Sequence, residues 1–501
     1  MNLNKISKIF VALGIMALPV AGLAAPTSPN ITFKKNDITI DVAFNDTITQ
    51  KFDAEITKVD TKSAYLRLNE IGNEDLEKII AKIPNARRIS IDSSKLTSIE
   101  PLKKLQGTTS VYIKAHNVAD FTPLANITSL TEVGVESKIM PDIKWAKNLT
   151  NLRSMSLKDS TVLTSLEGLP SSQTLKTLHI SKSKLTDVSQ ITNAPNLDMF
   201  KLIMGGVTDL TPFGSLTKLT NMDLYGCDVK DLTPLSKIPT LKKLNLYGTD
   251  NTDYTTLANL KQVQEVELGA TKLPSLAFIK DMPALKSLST FNNEELADLS
   301  PISGTGIEYL KIWMLKYPVD LNQIKDATKM KKIEITGCNT GVPVSNFAAL
   351  SNMKELAEIK ISGLKDRCNT EVDGNFAKGL TKVKTLYLDN IHNLTNTEAF
   401  GDMVNLEKAW LLELNGTFDV SFFGRMPSLK EVHIKKTAVT GLESLAKCSN
   451  LQTLDIAEVT DKKVIDAVKA LPKLQSLTVS KSFSDADLQG FANPKIRITK
   501  R

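Results

Sequence analysis

An apolar signature recurs every 22 or 23 residues along almost the whole of this 501-residue chain. The signature reads L-x-x-L-x-L. Leu241, Leu244 and Leu246 form one copy, flanked by Leu219, Met222, Leu224 before it and Val263, Val266, Leu268 after it. The first position of each unit falls at 63, 86, 108, 130, 152, 175, 197, 219, 241, 263, 285, 307, 330, 356, 383, 406, 429, 451, 474 and 496. A period held over about twenty units excludes a set of independent globular domains. It demands a solenoid, in which each unit buries its apolar residues only against its neighbours.

The unit itself says what the solenoid is made of. Alternation within L-x-x-L-x-L predicts a short strand with one face inward. The second half often reads D-x-T-P followed by an apolar residue, as in Asp120–Leu124, Asp209–Phe213 and Asp231–Leu235. Proline fixes φ and cannot continue a sheet, so the chain turns back over the core there. A unit of 22 residues has no room for a strand and a long helix, so the return leg is a 3₁₀ or single helical turn. The expected fold is an α/β leucine-rich-repeat horseshoe, with a parallel β-sheet on its concave face and short 3₁₀ or helical turns on the convex face.

Three stretches depart from that rhythm. Asn73–Lys82 and Asp461–Leu471 have helical apolar spacing. Residues 363–376, GLKDRCNTEVDGNF, lengthen two intervals to 26 and 27 and read as an irregular polar loop. Residues 25–62 precede the array and read as an amino-terminal cap of short strands, at 38–42 and 48–56. The repeats then occupy 63–501.

The first 24 residues read as an export signal. Lys5 and Lys8 open it, an apolar run follows from Ile9 to Val20, and small residues place the cut between Ala24 and Ala25. The expected location is secreted or periplasmic, in a bacterium, with no membrane span after cleavage. The net charge of +7, from 62 basic and 55 acidic residues, is mild and interspersed, which argues against a nucleic-acid partner.

The runs VADFTPLANITSLTEV (118–133) and DLTPLSKIPTLKKLNL (231–246) resemble the 22-residue repeats of bacterial internalins, and the resemblance covers about residues 63–498. It implies an exported protein that binds a partner through the concave sheet. Internalins carry asparagine at the ninth position of the unit. Here that position reads Ser94, Ser160, Ser183, Cys227, Thr249, Thr271, Asn293, Cys338, Thr437 and Ser482, which predicts a weaker ladder. No immunoglobulin-like domain or wall-anchoring tail follows the repeats, so a host-invasion role is not implied.

Outward positions between the strand leucines are where a partner would sit. Tyr225, Tyr247, Phe291 and Trp313 hold the seventh position of their units, Tyr387 and Trp410 the fifth, and Tyr309 the third. Two of the three tryptophans and four of the eight tyrosines therefore belong to one face, a composition typical of a binding patch. Met199, Ile203 and Met204 extend it. Partial burial of these rings by their neighbours is the plainer alternative. The lysines near the strands, such as Lys243, Lys332 and Lys435, interleave with Glu265, Glu267, Glu334 and Glu431 as on a solvated sheet.

Chemistry-bearing motifs are missing from the sequence. The four histidines, His116, His179, His392 and His433, lie in different units, and no Cys-x-x-Cys, glycine-rich phosphate loop or nucleophile elbow occurs. No enzyme activity, cofactor or metal is expected. Cys338 and Cys368 are the one pair that stacked units bring within reach of each other, whereas Cys227 and Cys448 read as core residues. The expected function is recognition of a protein, with a glycan as second choice. The competing reading is a structural or self-associating envelope protein without a specific ligand.

Overall fold

The computed structural model describes residues 31–34, 36–41, 46–249, 253–293, 295–337, 344–363 and 371–501. The export signal, Cys338 and Cys368 lie outside the described residues. The chain divides into two compact units, residues 1–139 and 140–501.

In the first unit, Ile31–Lys34 and Asp37–Ile40 form an antiparallel hairpin whose second strand pairs in parallel with Tyr65–Asn69. Arg88–Asp92, Ser110–Lys114 and Glu132–Glu136 follow in parallel. The alternation explains the register. Leu66 lies beside Ile89 and Leu68 beside Ile91, and all four are buried. Return legs are the helix Asn73–Lys82, at the expected bounds, and 3₁₀ turns at Glu100–Lys104 and Thr122–Asn126.

Residues 48–56, expected to be a strand, instead belong to an α-helix, Asp46–Ile56. Ile48, Phe52 and Ile56 are spaced four apart, which suits one helical face and not a strand's period of two. Phe52 is fully buried and packs 6.1 Å from Phe33 of the hairpin, ring centre to ring centre.

In the second unit, each strand from Ser154–Lys158 onward is parallel to the next, ending at Arg497–Lys500. Equivalent positions align from repeat to repeat: Leu244 lies beside Val266, Val266 beside Leu288, and Leu288 beside Leu310. The D-x-T-P motif has a clear local cause. The Asp209 and Asp231 carboxylates each accept the N–H two residues on, from Thr211 and Thr233, at 2.8 Å. Those bonds, side chain first, hold both carboxyls below their ordinary range. The carboxylate thus satisfies a free donor at the start of each 3₁₀ turn, where the proline has none to satisfy. Asp461 does the same for the helix Lys462–Lys469, accepting from the Lys463 N–H at 2.9 Å.

The interior differs from the sequence reading in two places. Part of the expected loop, 371–376, is a strand at Glu371–Asp373 and the start of a 3₁₀ turn at Gly374–Ala377, because Val372 and Phe376 are apolar and bury. That strand pairs in parallel with Asn393–Thr395. Similar short ladders join Val319–Asp320 to Val344–Ser345 and Thr417–Asp419 to Ala438–Thr440. The second difference concerns the ninth-position ladder. Ser94 and Ser482 are exposed; the buried residues are Ser93, whose hydroxyl donates to the Ile71 carbonyl at 2.7 Å, and Phe483.

Elsewhere small groups do satisfy buried carbonyls. Cys227 Sγ donates to Leu202 at 3.5 Å, Asn293 Nδ2 to Leu268 at 3.2 Å, and Thr437 Oγ1 to Leu411 at 3.4 Å. Burial pushes the Cys227 thiol up to about 12. No helix among the described residues is long and apolar enough to cross a membrane.

Candidate functional site

All seven aromatic residues singled out above lie in the second unit. In Tyr309–Trp313, Leu310 and Ile312 point to the core, so Tyr309, Lys311 and Trp313 share the opposite face. Third, fifth and seventh positions of successive repeats thus form three columns on the sheet face, each held in line by the parallel register.

The seventh-position column carries a continuous row of rings. Tyr225 and Tyr247 are stacked, with centres 4.7 Å apart and planes 6° from parallel. That distance is about one strand spacing, roughly 4.8 Å, so the stack follows from register alone. The next pair does not. Tyr247 and Phe291 are two repeats apart, about 9.6 Å of strand spacing, yet their ring centres are 5.3 Å apart. Gly269 occupies the position between them. A Cβ there would lie 2.5 Å from Tyr247 Cδ2 and 3.0 Å from Phe291 Cβ. The missing side chain is the space the two rings share. Phe291 then meets Trp313 edge to face at 4.7 Å. Each such pair contributes about 0.5–1.5 kcal/mol beyond its buried area.

Enclosure in this row has a consequence for Phe291, expected to be exposed. It is 6% exposed, covered by Tyr247 and Trp313, and so supports the row more than it presents a surface. The other six are partly exposed. Tyr247 Oη and Trp313 Nε1 are buried polar atoms with no hydrogen-bond partner among the described residues. Burial, and then the neighbouring Tyr225, raise the Tyr247 phenol above its ordinary range.

Tyr387 and Trp410 form a separate group. Their centres are 6.2 Å apart in the fifth-position column. The strands Lys332–Thr336 and Glu358–Ser362, which carry no aromatic residue, lie between Trp313 and Tyr387. Tyr309 belongs to neither column. Lysines cover several of these rings: Lys332 lies 4.9 Å from the Tyr309 centre, Lys311 4.8 Å from Trp313 and Lys360 4.8 Å from Tyr387.

Sequence reasoning missed His433, which continues the second group. Its ring is stacked on Trp410 at 5.6 Å and 2°. His433 Nε2 lies 2.8 Å from Glu431, and Nδ1 lies 3.6 Å from Asp455, which also pairs with Lys435 at 3.1 Å. The Asp455 bond, outweighing burial and aided by Glu431, raises the His433 pKa above 6.5. A raised folded pKa makes protonation stabilise the fold. The gain is fully present below the unfolded value near 6.5 and is lost as pH rises through the folded value. The expected result is an NMR titration of His433 with a midpoint above that of a free histidine, and a stability slope across this window that His433→Gln removes. A midpoint at or below the free value overturns it.

Most lysines on the face are neutralised in place. Lys201 pairs with Asp223 at 2.9 Å, Lys243 with Glu265 at 2.8 Å, and Lys332 with Glu334 at 3.0 Å. Beside the aromatic row, Met199, Lys201, Asp223, Lys243, Glu265 and Glu267 help line an open depression of about 390 Å³.

Strands that repeat in parallel, most of them returned by a 3₁₀ turn over a leucine interior, define this chain as a leucine-rich-repeat solenoid protein. No family model matches the sequence, and no curated protein matches it. Solved structures do. A chain of the Toll–Spatzle complex of Drosophila is 12% identical, with a TM-score of 0.52, over 94% of this chain and 61% of that one. A leucine-rich-repeat protein of Leptospira interrogans is 13% identical, with a TM-score of 0.47, over 92% and 100%. An internalin of Listeria monocytogenes, InlF, is 18% identical, with a TM-score of 0.38, over 77% and 90%. At these identities the likeness concerns the fold.

Proposed function

We propose that this chain is an exported leucine-rich-repeat protein that holds a protein partner against its sheet face. The contacts are Tyr225, Tyr247, Tyr309, Trp313, Tyr387 and Trp410, with Phe291 as the support beneath. The observation that carries this reading is the row of rings from Tyr225 to Trp313, spanning five consecutive repeats. Tyrosine and tryptophan dominate binding energy at protein interfaces because they offer large area at low entropic cost.

The ring arrangement favours a protein over a glycan. A sugar stacks on an open ring face, and here most of the faces meet another ring or a lysine. Nucleic acid requires an unbroken positive surface for phosphates, and the pairs at Lys201, Lys243 and Lys332 interrupt one. Export rests on residues 1–24, and its mark is a mature chain beginning at Ala25.

A photo-cross-linking residue in place of Ser289, on the sheet face, tests the binding, with Lys280 on a 3₁₀ turn as control. Expressed in the source cells, the mature protein should cross-link a defined partner from 289 and not from 280. Trp313→Ala with Trp410→Ala should reduce the yield about tenfold or more, as hot-spot loss does. Equal capture from position 280, or undiminished capture without the tryptophans, overturns the proposal.

A further inference from the structure

The depression beside the aromatic row has an uncompensated charge. Of its three carboxylates, Asp223 is paired with Lys201 and Glu265 with Lys243. Asp223 and Asn245 also turn back on their own strand, accepting the Tyr225 N–H at 3.2 Å and the Tyr247 N–H at 2.9 Å. Glu267 is left. It is exposed on the sheet face, and no cation among the described residues lies within ion-pair distance of it. It stands in the fifth-position column in the repeat between Tyr247 and Phe291, next to the space opened by Gly269.

We propose that Glu267 is the seat of a guanidinium side chain presented by the protein partner. This rests on the binding role of the sheet face argued above. Two observations and the chemistry of the pair converge on it. Charge complementarity is the first: two cations and three anions line the depression, and the odd carboxylate is the one without a partner. The second is shape. A cleft of about 390 Å³ lies within the range that accommodates small ligands, and Met199, exposed at its rim, offers apolar surface to an aliphatic stem.

The third is the chemistry of the pair itself: a planar guanidinium meets a carboxylate through two parallel hydrogen bonds, which a compact ammonium cannot. The carboxylate's own surroundings agree. Partial desolvation among the neighbouring side chains, and then Asp223, push the Glu267 carboxyl above its ordinary range, and Lys311 only partly offsets them. A cation brought by a partner relieves that disfavoured charge.

The test uses full-length protein with ¹³C-methyl methionine, in which Met199→Leu identifies the reporting signal. The probes are acetyl-Gly-Arg-Gly-amide and the same peptide with citrulline, which keeps the shape and removes the charge. The arginine peptide should shift the Met199 methyl saturably and bind about five- to tenfold more tightly than the citrulline peptide, as a partly enclosed charge pair does. Glu267→Gln should abolish that preference, and Glu308→Gln, outside the depression, should leave it. Equal binding of the two peptides, no shift with either, or a preference that survives Glu267→Gln overturns the seat. If any of these occurs while the sheet-face cross-links persist, the binding face stands and only this occupant is wrong.

Discussion

Replacing Phe400 with alanine should cost the second unit about 3–5 kcal/mol, the range for deleting a buried aromatic ring from a close-packed interior. Phe400 is 1% exposed, and its ring lies 5.4 Å from Phe376 and 5.5 Å from Phe422. These three rings come from successive return legs, so the hole opens where three repeats meet. In a repeat array the stability of each unit depends on its immediate neighbours, and the damage should stay local. Hydrogen exchange should show early loss of protection in Thr385–Asp389 and Lys408–Leu412, with Ser154–Lys158 little changed. Even loss of protection over the whole unit would show that its repeats unfold as one block.

Gly269→Ala should destabilise the protein by about 1–3 kcal/mol, the usual range for overpacking. Adding a side chain to a glycine commonly stabilises by about 0.4–1 kcal/mol, through the unfolded chain. Here the steric term decides. The new methyl would sit 2.5 Å from one ring carbon of Tyr247 and 2.8 Å from another, with Phe291 Cβ closing the opposite side at 3.0 Å. Tyr247 must swing away, which breaks its contact with Phe291 and frees one side of Trp313's support. Near-ultraviolet circular dichroism and Trp313 emission should therefore change together with the denaturation midpoint. A variant as stable as the parent, with an unchanged aromatic spectrum, would show that the rings do not share this space.

The repeat was legible because its period is a physical necessity: each strand must present the same residues to the same interior. Position within the repeat then located the aromatic columns, since register converts a number into a place on the face. Burial of Phe291 was not legible, because it depends on what Gly269 lacks on the adjacent strand. The helix Asp46–Ile56 replaces the strand expected at 48–56, because Ile48, Phe52 and Ile56 recur every four residues and so share one helical face. The ladders at 319–320, 371–373 and 417–419 are two or three residues long, too short to carry any period. The role of His433 was not legible from an isolated histidine, although it holds the fifth position directly after Tyr387 and Trp410 in the register. Ser94 and Ser482 each lie one residue from the buried position, and a shift of one reverses inside and outside.

Two aromatic groups fixed in one register make the sheet a ruler. Three strand spacings separate Trp313 from Tyr387, about 14 Å. A partner that grips both must carry its own anchors at that interval. Lengthening or shortening the array by one whole unit between them would move the graduation by about 4.8 Å and leave each grip intact. Affinity for such a partner would then be set by counting repeats, independently of the chemistry at either end.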